Sequence, residues 1–147
     1  MKWNELAITA SKVVLEYDLI DPEETIIGVE QDGLLEHLVH EVSHAVSLDL
    51  LPFDPSCTHK RIGIMLTNTS DHGIENETVT FAIEWFALQH LGAPFDLRDI
   101  LDAAEMQGCE VEGVLAMIQS DHPEADAIYE NAMKAVAEVR RLATQAS

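Results

Sequence analysis

The chain has 147 residues, the length of one domain able to bury its own core, and 47% of them are apolar, too many for a disordered polymer. Its 27 acidic residues against 8 basic ones give a formal net charge of −19. Such a surface repels phosphate backbones and anionic lipid headgroups, so nucleic acid and membrane surfaces are poor candidate partners. Cys57 and Cys109 match no metal or redox spacing, which points to free thiols in a reducing compartment. The first residues, MKWNELAITASKVVLEYDL, lack the basic start and unbroken apolar run of a signal peptide. No stretch reaches the roughly 18 uncharged apolar residues of a membrane span. A cytoplasmic protein is the expectation.

In chain order, Trp3, Leu6, Ala10, Val13, Val14 and Tyr17 recur at helical spacing and predict an amphipathic helix over 3–18, ended by Asp21-Pro22. ETIIGVE, residues 24–30, is β-branched and predicts a short strand. Asp32-Gly33 then marks a turn or cap, followed by a helix to about Leu50, with Pro52 and Pro55 beyond it. PFDPSCTHK reads as loop, and RIGIMLT, residues 61–67, as a second strand weakened by Gly63. Helix returns from Ile74 to Leu91, closed by Gly92 and Pro94. Helices over 96–106 behind an Asp96 cap, over 110–119 and over 123–145 complete the chain. The last carries a stripe of Ala127, Ile128, Ala132, Val136, Val139 and Leu142, suited to its own domain first and to a homodimer second. The expected fold is mainly α with one or two short strands (α+β), a single domain over 1–147.

The segment EHLVHEVSHAVSLDL, residues 36–50, sets three histidines and two glutamates within nine residues of an apolar helix. At about 100° per residue, His37, His40, Glu41 and His44 fall within one arc of roughly 100°. Leu34, Leu35, Leu38, Val39, Val42, Ala45 and Val46 fill the other, so the polar arc is expected to face a cleft. His40-Glu41-Val42-Ser43-His44 spells H-E-x-x-H. Residues four apart stack one turn above each other, which lets two imidazoles reach one tetrahedral ion. The intervening glutamate lies on the same side, placed to take a proton from a metal-activated water. His37 on its own is better explained as a surface or satisfied core histidine. A third ligand is available in the next helix, where Glu77 and Glu84 stand two turns apart on one face among Val79, Phe81, Ala82, Ile83, Trp85 and Phe86, although the place of Glu77 near the helix start suits any carboxylate.

HEVSHA, residues 40–45, followed by ENETVTFAIEWF, residues 75–86, resembles the ImmA/IrrE-type metallopeptidases, within the gluzincin branch of zinc peptidases. The resemblance covers about residues 1–92, a zincin-like portion with an HExxH helix and a second, ligand-bearing helix. Residues 93–147 form a helical C-terminal extension outside it. The resemblance implies bound zinc held by His40, His44 and Glu77, Glu41 as general base, and a protein or peptide substrate in the cytoplasm. It also shows departures. Val79 stands where family members carry Asn or Asp, and Phe81 where related gluzincins carry an acid; Asp71, Glu75 or Glu84 could substitute. No helix-turn-helix module is present. Candidates for oxyanion stabilisation are Tyr17, His37, His59, His72, His90 and Tyr129, which spacing does not separate. Two other readings stand beside the peptidase. One is a zincin fold used for binding or regulation without turnover. The other is a plain helical protein whose acidic surface meets a basic partner.

Overall fold

A computed structural model describes residues 2–16, 30–47, 49, 51–53 and 74–146. Among these residues it holds six helices and no strand: α1 (Trp3–Glu16), α2 (Glu30–Ser47), α3 (Ile74–Leu91), α4 (Leu97–Met106), α5 (Val111–Met117) and α6 (Ala125–Ala146). The protein is therefore mainly helical. The strand expected at 61–67 lies outside the described residues, as does the one at 24–30 except for Glu30, which begins α2.

Two helices occupy the centre. Leu35, Leu38, Val39, Val42 and Ala45 of α2 are fully buried, and so are Ala82, Ile83, Glu84 and Ala87 of α3. A helix apolar all round can only be satisfied by neighbours on every side. α3 accordingly packs against α2, α4, α5 and α6, while α2 packs against α1, α3 and α6. The long α6 crosses α1, α2 and α3. Its buried line runs Ile128, Ala132, Ala135, Val139, Leu142, alternating steps of four and three, with Val136 and Ala143 beside it. Ala127, expected in this stripe, is exposed.

Local chemistry sets the boundaries. Asp96 and Asp99 form a reciprocal capping box at the start of α4: Asp99 N–H donates to Asp96 Oδ1 at 3.0 Å and Asp96 N–H to Asp99 Oδ2 at 2.9 Å. α3 ends in a Schellman turn, with Gly92 at φ +78 and Ala93 N–H donating to Leu88 O at 3.0 Å. Gly108 at φ +88 repeats it after α4, with Cys109 N–H donating to Ala104 O at 2.9 Å. α2 stops at Ser47, before the expected Leu50, because Asp49 turns left-handed at φ 57 and donates its N–H to Val46 O.

Polar contacts also fasten the N-terminal helix and Phe53. Trp3 Nε1 donates to Asp32 Oδ1 at the start of α2, and its ring meets Phe95 edge-on at 5.9 Å. Phe53 is clasped by α6: its N–H donates to Glu138 Oε2 at 2.9 Å, and Arg141 Nη2 donates to its carbonyl at 3.0 Å. No described helix is long and apolar enough to cross a membrane.

Candidate metal centre

The surroundings of the HExxH helix depart from expectation. Its polar arc is largely enclosed: His37, Glu41 and His44 are buried, and His40 is half-buried. Over His40 and His44 lies α3, which presents Glu77, Thr80, Phe81 and Glu84 to them. Relative to Glu77, positions 80, 81 and 84 fall within about 60° on a helical wheel, one continuous strip of α3.

At the centre of the contact, His40 and His44 stand one turn apart, their rings perpendicular with centroids 4.7 Å apart. Both Nε2 atoms face one carboxylate. Glu77 Oε1 lies 2.5 Å from His44 Nε2, and Glu77 Oε2 lies 3.4 Å from His40 Nε2. The three residues each offer a ligand atom within 4.8 Å of the others, and together could hold a metal ion. Their side chains are 13%, 4% and 19% exposed for His40, His44 and Glu77, so the group is enclosed but not sealed.

The far sides of both rings are also held. His44 Nδ1 hydrogen-bonds Thr80 Oγ1 at 3.2 Å in the buried interface. His40 Nδ1 lies 3.3 Å from Oε1 of Glu84, and its ring packs against Phe81 at 4.7 Å. Glu84 is 0% exposed, and neither of its oxygens finds an aligned hydrogen bond. Burying an uncompensated polar group costs about 2–7 kcal/mol, and an ionised carboxylate more. Such a group asks for a positive charge nearby.

The titration behaviour says the same. Burial works against the His40 imidazolium, but Glu84 and Glu77 outweigh it and raise His40 well above the ordinary histidine value. Burial likewise works against the Glu77 carboxylate, yet hydrogen bonds with His40 and His44 hold it far below the usual carboxylate range. The pocket is built around positive charge, whether a proton or a cation supplies it. Two imidazole nitrogens and one carboxylate oxygen, each imidazole braced from behind, fit a divalent transition metal.

The remaining candidates fall elsewhere. Glu41 is buried beside His37, whose Nε2 is 3.8 Å from its Oε1, outside the three-residue donor group. Tyr129 and His90 hydrogen-bond each other at 3.0 Å on the surface, and His90 lies about 20 Å along α3 from Glu77. Tyr17, His59, His72 and Asp71 lie outside the described residues. Cys109 sits near enough to feel Glu77 and His40; burial pushes its thiol up, and its sulfur is not in the donor group. No motif in the sequence marks Thr80, although its position three residues after Glu77 puts it on the same face of α3. No family model, curated protein or solved structure matches the chain.

Proposed function

We propose that the protein is a zinc-dependent peptidase whose metal is held by His40, His44 and Glu77. The observation that carries this reading is the convergence of two imidazole Nε2 atoms on one carboxylate, with Thr80 hydrogen-bonded to Nδ1 of His44 and Glu84 standing 3.3 Å from Nδ1 of His40. Zinc, when bound, supplies Lewis acidity that polarises a carbonyl and makes water a nucleophile near neutral pH. The chain's own residues do the rest. Thr80 and Glu84 hold the two imidazoles, and the burial of the α2–α3 contact keeps bulk water away. Glu41 takes the proton from the attacking water as its oxygen adds to the peptide carbonyl, then delivers that proton to the leaving nitrogen as the C–N bond breaks. In the resting protein Glu41 lies against His37, so this role requires its side chain to turn toward the Glu77 side of the helix. The substrate class, a cytoplasmic protein or peptide, follows from the resemblance of HEVSHA and ENETVTFAIEWF to the ImmA/IrrE-type enzymes.

One observation favours a second reading, a metal-holding binding or regulatory protein without turnover: the engagement of Glu41 by His37. Incubating the zinc-loaded protein with a peptide library separates the two. A peptidase cleaves, and Glu41→Gln lowers the rate by about 10²–10⁴-fold while zinc stays bound. Full zinc occupancy with no cleavage in the wild type selects the second reading.

A further inference from the structure

We propose that Glu84 positions His40 for its metal, by accepting the Nδ1–H and so fixing the tautomer whose Nε2 lone pair faces Glu77. The proposal rests on the reading that the site holds a cation. It starts from a residue that neither H-E-x-x-H nor the donor group contains.

Glu84 lies two turns after Glu77 on α3, on nearly the same side of the helix, with Ile83 and Ala87 fully buried around it. Its carboxylate is completely enclosed and has no aligned hydrogen bond, and Oε1 lies 3.3 Å from His40 Nδ1. His40 is thus bracketed by two carboxylates, one at each ring nitrogen: Glu77 at Nε2, 3.4 Å away, and Glu84 at Nδ1.

A neutral imidazole carries one N–H and one lone pair. A ring that turns its Nε2 lone pair to a cation must keep its hydrogen on Nδ1, and Glu84 is the acceptor standing there. The neighbouring ligand is braced differently, through the neutral hydroxyl of Thr80. A carboxylate behind an imidazole makes its other nitrogen a stronger donor, so His40 is the more strongly bound of the two histidines. Filling this space for packing alone calls for no charge: a leucine or methionine would serve in a strip that already holds Phe81 and Ile83. Hence the charge of Glu84 belongs to the site rather than to the core.

The test uses the full-length protein, wild type and Glu84→Gln, with zinc affinity measured by competition against a chromophoric chelator. Glu84→Gln keeps the shape and removes the charge, and zinc binding is expected to weaken about 10- to 100-fold. Nitrogen-15 spectra of the zinc-loaded wild type provide a readout independent of how the variant folds. They should show His40 with its hydrogen on Nδ1, its proton signal far downfield and slow to exchange, and that signal should move upfield in Glu84→Gln. Zinc affinity in Glu84→Gln within about twofold of wild type, or a wild-type His40 carrying its hydrogen on Nε2 in the loaded protein, overturns the proposal. A wild type that binds no zinc removes the metal reading itself and this inference with it. Zinc held normally by both proteins removes the inference alone.

Discussion

Thr80 places its hydroxyl oxygen 3.2 Å from Nδ1 of His44, across a buried contact between two helices whose residues are 36 positions apart in the chain. That bond leaves Nε2 of the same ring free to meet Glu77. Thr80→Val keeps the volume and deletes the hydroxyl. Zinc affinity should fall about tenfold, and the metal-free protein should lose about 1–3 kcal/mol of stability. Thr80→Ser should retain most of both. Chelator competition and denaturant unfolding of the three proteins measure the two effects separately.

The α6 clasp on Phe53 predicts a pH dependence. Burial disfavours the Glu138 carboxylate, but Arg141 and the Phe53 N–H stabilise it and hold its pKa below the ordinary value. A depressed carboxylate stabilises the fold above the unfolded value of about 4.3, and that contribution is lost as pH falls through the native value. With Arg141 34% exposed, Glu138→Gln should cost about 1–2 kcal/mol at pH 7. Unfolding curves should show a constant wild-type advantage above about pH 5, narrowing toward pH 3. An advantage that persists unchanged at pH 3 contradicts the assignment.

Two glycines should respond to alanine in opposite directions. Gly108 ends α4 at φ +88, and an added Cβ meets nothing within 4 Å, so the cost of Gly108→Ala is backbone strain alone, about 1 kcal/mol. Gly113 lies inside α5, where an added Cβ stands 3.4 Å from Thr78 Cγ2, an ordinary contact. Gly113→Ala should therefore stabilise by about 0.5–1 kcal/mol, through a less flexible unfolded chain. Thermal melts of the two variants decide both signs.

Much of the helical framework was legible in the sequence because its punctuation is local. Asp96 capping α4, and Gly92 closing α3, announce themselves by residue type. The start of α2 was less legible: Asp32-Gly33 suggested a boundary, yet the helix begins at Glu30 and passes through a buried Gly33. The helix penalty of one glycine, about 1 kcal/mol, is small beside the packing of α2 against three helices. His40 and His44 are legible by spacing, since helical period alone places the histidines one turn apart, whereas Glu77 is singled out only by the resemblance. The surroundings of these residues are not legible, because they arise from how α3 lies across α2, a tertiary fact. A periodicity argument separates polar from apolar arcs but cannot say what covers the polar one. Glu84 was one of three acids that could have supported the ligands, and it lies 3.3 Å from His40; Asp71 and the Glu75 side chain lie outside the described residues.

The central claim is that His40, His44 and Glu77 bind a metal ion, and elemental analysis of the untagged protein tests it most directly. Wild type should carry about one zinc per chain, and the His40→Ala, His44→Ala double variant none. A wild type that remains metal-free after zinc is added back, with its melting temperature unchanged by zinc or chelator, would contradict the account and leave HEVSH as a buried polar contact between two helices.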